Sequence, residues 1–295
     1  MRYLALATDY DGTLASQGRV DRHTIVALEE LRKSGRKLIL VSGRELDDLL
    51  KVFPALDVFD YAVLENGALL YNPKTKEQKA IAEAPPQQFV QALRDRGVPV
   101  SVGRSIVATW HPHETTVLEV IKELGLELHV IFNKGAVMVL PSSINKATGL
   151  AAALKELSLS EHNVVGIGDA ENDHAFLTAC ECGVAVANAL PALKERADIV
   201  TQQDHGAGVV AIIEQLLHDD LAGYSKQLKR RRILLGNNSA GRELWIPAFG
   251  PCILISGPSG SGKSTFVHAI LERLCEQQYQ FCVIDPEGDY EQFLD

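Results

Sequence analysis

The stretch Asp9-Tyr10-Asp11-Gly12-Thr13 closes the first apolar run of the chain, which is predicted as a buried strand from Tyr3 to Thr8. Two carboxylates one residue apart suit phosphoryl transfer, because one can attack phosphorus while its neighbour handles the proton of the leaving group. A phosphate ester and a carboxylate repel each other, so such a site also needs a divalent cation and donors to the phosphoryl oxygens. The pentad therefore predicts partners elsewhere in the chain.

Strands alternate with amphipathic helices around this pentad. The predicted elements are a helix at Thr24–Ser34, a strand at Lys37–Val41, a short helix at Glu45–Val52, strands at Tyr61–Leu64 and Val164–Ile167, a helix from Asp173 and a strand at Val184–Val186. This rhythm predicts an α/β fold with a Rossmann-like, doubly wound parallel sheet. Ligands of such sheets lie beyond the carboxyl ends of the strands. Asp9, Ser42, Asn66 and Asp169 follow strand ends, so we expect them to meet in one crevice.

Three further motifs supply what the pentad lacks. They are Ser42-Gly43-Arg44, then Lys146 in Asn145-Lys146-Ala147-Thr148-Gly149, then Gly168-Asp169-Ala170-Glu171-Asn172-Asp173. Ser42, or its backbone N–H, can donate to a phosphoryl oxygen, and Lys146 adds a positive charge. Asp169 is a hard oxygen ligand suited to Mg²⁺, and Asp173 can hold Lys146 in place. Each motif alone is common, but their ordered set is specific.

Residues 78–142 are predicted to form a compact α+β unit inserted into the parallel sheet. Helices are expected at Pro86–Arg96 and His113–Leu124, and strands near Val98–Val102, Ile106–Trp110, Glu127–Phe132 and Ala136–Leu140. This unit suits a lid that excludes water and selects substrate; the alternative is an extra structural layer. Arg104, Trp110, His111 and His113 are either crevice residues or ordinary lid surface.

On these motifs, residues 1–217 resemble the haloacid dehalogenase superfamily of phosphohydrolases, in the Cof-type branch whose cap is inserted between the second and third motifs. The resemblance implies a core at 1–77 and 143–217, a cap at 78–142, and a small phosphorylated substrate such as a sugar phosphate. It implies Asp9 as nucleophile, Asp11 as general acid/base, and Mg²⁺ held by Asp9, Asp169 and the backbone carbonyl of Asp11. The other implied site residues are Ser42, Gly43 and Lys146 on the phosphoryl group, Asn66, Arg44 and Asn172 near the substrate, and Thr13 and Asp173 in support.

A second phosphate-binding signature lies near the end of the chain, at Gly257-Pro258-Ser259-Gly260-Ser261-Gly262-Lys263-Ser264. Its glycines let backbone N–H groups wrap phosphates, Lys263 reaches the β/γ oxygens, and Ser264, assisted by Thr265, can bind Mg²⁺. A strand at Cys252–Ser256 and a helix at Phe266–Leu274 are expected around it. With a strand at Gln280–Ile284 and an acidic turn from Asp285, residues 233–295 resemble the start of HerA-like P-loop ATPases. ATP is the expected ligand.

This second domain, placed at 236–295 after a linker at 218–235, is predicted to be incomplete, because the acidic strand that orders Mg²⁺ in such ATPases is missing. Two alternatives to a phosphatase stay open. The ATPase is the main activity and the first part its sensor or regulator, or the chain is a phosphatase–kinase for nucleic-acid ends. The large lid argues against the latter, because it obstructs a polymer end.

Net charge, apolar stretches and cysteine spacing limit the kinds of partner and compartment that we expect for this chain. The net charge of −9 over 295 residues argues against nucleic acid as a general partner. The basic run Lys226–Arg232 fits either nucleic acid or a solvated helix face. No apolar stretch reaches the ~20 residues of a membrane span, and the N-terminus shows no secretory signal. Five cysteines without CxxC spacing favour reduced thiols. These features predict a cytoplasmic protein without a membrane partner.

Overall fold

The computed structural model describes residues 1–133, 135–225, 228, 231–250, 252–286, 288 and 290. They fall into two compact units, residues 1–225 and residues 226–295. None of the helices in these described ranges combines the length and the apolar character that crossing a membrane requires.

The first unit is built from alternating strands and helices. Its strands are β1 (Ala5–Asp9), β2 (Lys37–Val41), β3 (Tyr61–Leu64), β4 (Leu69–Tyr71), β5 (Gln78–Ala80), β6 (Ser101–Val102), β7 (Val107–Trp110), β8 (Leu128–Asn133), β9 (Ala136–Pro141), β10 (Val164–Gly168), β11 (Cys182–Ala185) and β12 (Ile199–Val200). Its helices are α1 (Arg22–Lys33), α2 (Leu46–Val52), α3 (Gln87–Asp95), α4 (Glu114–Glu123), α5 (Lys146–Leu157), α6 (His174–Ala179), α7 (Pro191–Arg196) and α8 (His205–Asp219).

Eight strands form the larger sheet, in the order β12-β11-β10-β1-β2-β3-β4-β5. The pairs from β12 to β3 are parallel, and β4 and β5 add an antiparallel edge. Every residue of β1 and β10 is buried, as expected of central parallel strands that helices cover on both faces. The predicted α/β fold with a doubly wound parallel sheet is confirmed.

A second, four-stranded antiparallel sheet has the order β6-β7-β9-β8 and carries α3 and α4. Its core is a cluster of buried side chains: Phe89, Val90, Leu93, Val98, Val107, Val117, Val120, Val137 and Val139. We call this layer the cap. The strand predicted from Val98 begins only at Ser101. Pro99 has no N–H to pair, and Val98 packs into the core cluster instead.

The boundaries differ from the predicted ones at two places. Residues 78–80 were assigned to the cap, but β5 pairs with β4 of the larger sheet. The linker was predicted from residue 218, but α8 runs to Asp219 and the first unit extends to residue 225. Both errors have the same cause, since neither the exposed strand β5 nor the polar residues 218–220 show a burial pattern in sequence.

The second unit contains β13 (Arg232–Asn237) and β14 (Glu243–Pro247), paired antiparallel, and α9 (Lys263–Glu276). Part of the predicted linker is therefore strand β13. The strands predicted at 252–256 and 280–284 are wrong, because the described residues there form no ladder. In the described part of this unit no strand lies beside them, and Leu254 and Ile284 are about nine-tenths exposed (91% and 90%). Lys226, Gln227, Lys229 and Arg230 of the basic run, and Glu287 and Asp289 of the acidic turn, lie outside the described residues.

Candidate active site

The carboxyl end of the larger sheet collects the motifs of the first unit. Asp9 is the last residue of β1, and Asp169 follows β10, which pairs directly with β1. Ser42 follows β2, the strand on the other side of β1. Asp9, Ser42 and Asp169 are all buried, at 4%, 1% and 7% exposure. Parallel pairing of three neighbouring strands thus brings together residues that are far apart in sequence.

Lys146 lies between two carboxylates. Its Nζ donates to Asp9 Oδ1 and to Asp173 Oδ1, each at 2.6 Å, and its side chain is 2% exposed. Asn145 caps α5 by accepting from the backbone N–H groups of Ala147 and Thr148, which sets Lys146 at the first helical position. Burial acts to lower the pKa of Lys146, but the charges of Asp173 and Asp9 outweigh it and raise that pKa. The ammonium therefore stays charged.

Asp169 and Asp173 complete a buried acidic cluster with Asp9. Oxygen atoms of these three residues lie within 4.8 Å of one another. Asp169 Oδ1 accepts from Thr13 Oγ1 at 2.9 Å, and Asp173 Oδ2 accepts from the backbone N–H groups of Asp169 and Ala170, each at 2.9 Å. A Cβ at residue 12 would overlap the Asp169 carboxylate, so glycine is required there, at φ +96°.

The donor set of this cluster fits Mg²⁺. Carboxylate oxygens are the hard ligands that this ion prefers. The three carboxylates and the single ammonium of Lys146 sum to −2, which a divalent cation neutralises. Burial raises the pKa of Asp9, and the charges of Asp173 and Asp169 raise it further against the opposing effect of Lys146. The ionised form of Asp9 therefore needs a further cation to balance its charge. Asp9 and Asp169 are two of the predicted ligands, and Asp173 is an additional carboxylate beside them. The ligand expected from Asp11 is its backbone carbonyl, not the side chain, which pairs with Arg44.

Asp11 and Arg44 form a two-pronged ion pair. Arg44 Nε donates to Asp11 Oδ2 at 2.6 Å and its Nη2 to Asp11 Oδ1 at 2.8 Å, while Nη1 contacts Asp48. The bonds to Asp11 raise the pKa of Arg44 against the effect of burial. The predicted acid/base is thus oriented by Arg44, a residue that was predicted only to lie near the substrate.

Ser42 and Asn66 are tied to their surroundings. Ser42 Oγ accepts from the backbone N–H of Arg44 at 3.2 Å, and its own N–H donates to Val63 O. Asn66 Oδ1 accepts from Asn172 Nδ2 at 3.0 Å. A Cβ at Gly43 would come within 3.1 Å of the Asn66 amide, so the loop after β2 packs tightly on the segment after β3.

A cleft of about 710 Å³ lies above these groups, between the larger sheet and the cap. Its lower side is lined by residues that lie outside the cap: Asp9, Asp11, Gly43, Arg44, Lys146 and Asn172. The cap contributes a mostly apolar roof: Ile106, Ala108, Trp110, Ala136 and Met138. Of the four candidate lid residues, Trp110 lines the cleft, whereas Arg104, His111 and His113 do not.

Sequence reasoning missed several residues of this region. Four charged residues of α2 and its N-cap line the cleft: Glu45, Asp47, Asp48 and Lys51. Glu65 is 1% exposed, and its carboxylate accepts from the backbone N–H groups of Arg104 and Ser105 in the cap. A charged residue directly after a buried strand was the available signal for Glu65, which precedes the predicted site residue Asn66.

The second signature surrounds the start of α9. Gly262 precedes the helix with φ +87°, and Gly260 has φ +79°, so both adopt backbone conformations that favour glycine. Lys263 Nζ donates to Pro258 O at 3.1 Å, and Ser264 and Thr265 follow Lys263 in the first turn of the helix. The helix is confirmed and begins three residues earlier than predicted.

The two parts of the chain match different family models. Residues 6–113 and 118–213 match the model of haloacid dehalogenase-like hydrolases, and residues 249–295 match that of the central domain of helicase HerA. Phosphoglycolate phosphatase 2 of Saccharolobus solfataricus is 31% identical over 219 residues, covering 72% of this chain and 92% of that protein. The phosphoglycolate phosphatase of Methanothermobacter thermautotrophicus is 29% identical over 226 residues, covering 72% and 98%.

Solved structures share the fold of the first unit. A haloacid dehalogenase-like hydrolase from Bacteroides thetaiotaomicron has a TM-score of 0.63 at 19% identity and covers 72% of this chain and 99% of its own. One from B. subtilis has a TM-score of 0.60 at 17% identity, with the same coverage of 72% and 99%.

Proposed function

Because the chain belongs to the haloacid dehalogenase-like hydrolase family, as a phosphatase of small phosphate compounds, we propose that it hydrolyses phosphomonoesters with Mg²⁺ through an aspartyl-phosphate on Asp9. The observation that carries this proposal is the arrangement around Asp9. One buried carboxylate faces a cleft, is held by a charged lysine, and has a second acid two residues away.

Each residue of the site has its own role in the proposed reaction. Asp9 attacks phosphorus and the bond to the leaving oxygen breaks, while Asp11 donates the proton that this oxygen takes up. Water then attacks the aspartyl-phosphate, Asp11 accepts its proton, and phosphate leaves with Asp9 restored. Lys146 offsets negative charge on the phosphoryl oxygens, with Ser42 and the backbone at Gly43 as further donors. Arg44 keeps the carboxylate of Asp11 oriented throughout.

Mg²⁺ would be held by Asp9, Asp169 and the backbone carbonyl of Asp11, where it supplies charge neutralisation for the phosphoryl group. Asp173 positions Lys146 and the turn after β10, because its two oxygens are engaged by Lys146 and by two backbone N–H groups. Thr13 orients Asp169 through its hydroxyl.

The substrate we propose is a small phosphorylated metabolite, such as a sugar phosphate. The cleft volume and the cap above it support a compact leaving group. The relatives named above carry the name phosphoglycolate phosphatase, so phosphoglycolate belongs among the compounds to be tested.

The test is phosphate release from a panel of sugar phosphates and phosphoglycolate, with Mg²⁺ and with excess chelator. We expect the wild type to act on some of them only with Mg²⁺, and Asp9→Asn to be inactive. Asp57→Asn, at an exposed aspartate, is the matched control and should keep full activity. Equal activity of Asp9→Asn and wild type would overturn the assignment of the nucleophile.

We propose ATP as the ligand of Gly257, Gly260, Gly262, Lys263, Ser264 and Thr265. The match of residues 249–295 to the HerA central domain and the glycine conformations before α9 support this second function. The measurement is ATP binding by wild type and Lys263→Ala. Binding that Lys263→Ala leaves unchanged would refute the site. ATP turnover with no ester hydrolysis would favour the alternative in which the first unit regulates an ATPase, and phosphorylation of nucleic-acid ends would favour the phosphatase–kinase.

A further inference from the structure

Glu65 is a buried acidic residue that the proposed reaction does not use. It follows β3, and its carboxylate is 1% exposed. Oε1 accepts from the backbone N–H of Arg104 at 3.0 Å, and Oε2 accepts from that of Ser105 at 2.8 Å. Both donors lie in the turn between β6 and β7 of the cap. A carboxyl group that accepts from two neighbouring backbone N–H groups across a domain boundary is a directional attachment.

The cap turn is shaped to receive this carboxylate. A Cβ at residue 103 would come within 2.9 Å of Glu65 Oε2, so Gly103 lets the turn pass close over the acid. Ser105 is itself fully buried, and its hydroxyl donates to Ala82 O, in the segment that leads into the cap. Ile106, the next residue, lines the catalytic cleft and begins the approach to β7.

The backbone of Glu65 is strained and tied to the catalytic loops. Glu65 and Asn66 both have φ +53°, a left-handed conformation that costs a non-glycine residue energy unless neighbours impose it. The N–H of Glu65 donates to Arg44 O, and that of Asn66 to Ser42 O. The segment that holds the cap turn is thus bonded to the loop that carries Arg44, the partner of Asp11.

The cap joins the core through two chain crossings, near residues 81–82 and 140–144. A small cluster of buried side chains packs together there: Ala68, Ile106, Leu140 and Ile144. Ser101 Oγ of β6 also donates to Glu45 Oε1 at 2.8 Å, and the two backbone hydrogen bonds to Glu65 fix the adjoining turn. Together these bonds restrict rotation of the cap about the line between the two crossings. We propose that Glu65 is a positioning residue that latches the β6–β7 turn to the core and so sets the orientation of the cap over the cleft.

This inference concerns the same cleft as the proposed function, but the first test does not need activity. Hydrogen–deuterium exchange of the amides at 104 and 105 is measured in wild type, Glu65→Ala and Glu65→Gln of the full chain, without substrate. We expect exchange at least about tenfold faster in Glu65→Ala, because both N–H groups lose their acceptor. Glu65→Gln should be intermediate, since its NH₂ group faces one of the two donors. Glu83→Gln, at an exposed glutamate of the segment entering the cap, should match the wild type.

The second readout separates positioning from folding. In a Trp245→Phe background the fluorescence of Trp110, on the cleft side of the cap, should shift in Glu65→Ala while the melting transition of the unit remains cooperative. For a hydrolysed ester, KM should rise about tenfold with a smaller change in kcat, whereas acetyl phosphate, with its small leaving group, should be affected less. Unchanged exchange at 104 and 105 in Glu65→Ala would refute the latch, whatever the activity. Absence of any ester hydrolysis by wild type would refute the proposed function and leave the exchange result to decide the latch.

Discussion

Replacing Lys146 tests the charge arrangement of the site most directly. In Lys146→Met the side chain keeps its length, but Asp9 and Asp173 lose the ammonium that bonds both of them at 2.6 Å. At an effective dielectric constant of about 20, each contact of 2.6 Å corresponds to about 6 kcal/mol of gross attraction. Desolvation of the three groups offsets most of that attraction. Removing one partner of a buried pair typically costs about 3–5 kcal/mol.

We therefore expect Lys146→Met to lower the free energy of unfolding by about 3–5 kcal/mol in chelator at a pH above about 8, where Asp9 is ionised without the cation, and to lower kcat by about 10²–10³ in Mg²⁺. Unfolding in urea is followed by the fluorescence of Trp110 in a Trp245→Phe background, so that the signal belongs to the first unit. Lys155→Met, at an exposed lysine of the same helix α5, is the control and should change neither quantity appreciably.

The double variant Lys146→Met, Asp173→Asn separates stability from catalysis. Neutralising Asp173 removes one of the two uncompensated carboxylates, so about 1–3 kcal/mol of stability should return as coupling between the sites. Activity should not return, because the ammonium that lies beside Asp9 is still missing. A loss below about 1 kcal/mol in the single variant, or additive effects in the double one, would show that Asp9 and Asp173 are not both charged beside Lys146.

Three further predictions concern residues that contact Asp169 or Asp11. Gly12→Ala should raise the Mg²⁺ concentration for half-activation while the protein still folds, because its Cβ displaces the Asp169 carboxylate. Titration of activity with Mg²⁺ measures this change. Thr13→Val should raise the Mg²⁺ concentration for half-activation about tenfold, since Asp169 loses its 2.9 Å hydrogen bond, and Thr13→Ser should restore it. Arg44→Lys should lower kcat about tenfold, because an ammonium cannot bond both oxygens of Asp11 at once; unchanged steady-state kinetics would contradict this role.

The strands that carry the site were predictable because they are buried on both faces. The runs that became β1, β2, β3 and β10 are almost continuously apolar, and such runs have few other stable arrangements. Once these strands are parallel neighbours, the polar residues after them must meet. β5 was missed for the opposite reason. Its three residues are all exposed, so no alternation or apolar run distinguishes them from a loop.

The contacts of the cap depend on packing between segments far apart in sequence. Glu65 and Arg104 are 39 positions apart, and nothing local to either residue indicates their bond. The same holds for Asp11 and Arg44, 33 positions apart. The strands expected at 252–256 and 280–284 failed because a local apolar pattern needs a neighbouring strand to form a ladder, and the described part of the second unit provides none beside them.

The buried environment of Asp9 disfavours the ionised form that a nucleophile requires. Burial raises its pKa, and a buried acid whose pKa is raised ordinarily serves as a proton donor. Lys146 cannot compensate fully, because Asp173 shares its ammonium. A divalent cation beside Asp9 and Asp169 brings the net charge of the cluster from −2 to zero, and it favours the ionised form that attack on phosphorus requires. The same burial that disfavours a bare carboxylate thus makes the nucleophile conditional on the cation. Asp11 lies nearer solvent than Asp9, and its side chain is paired with Arg44.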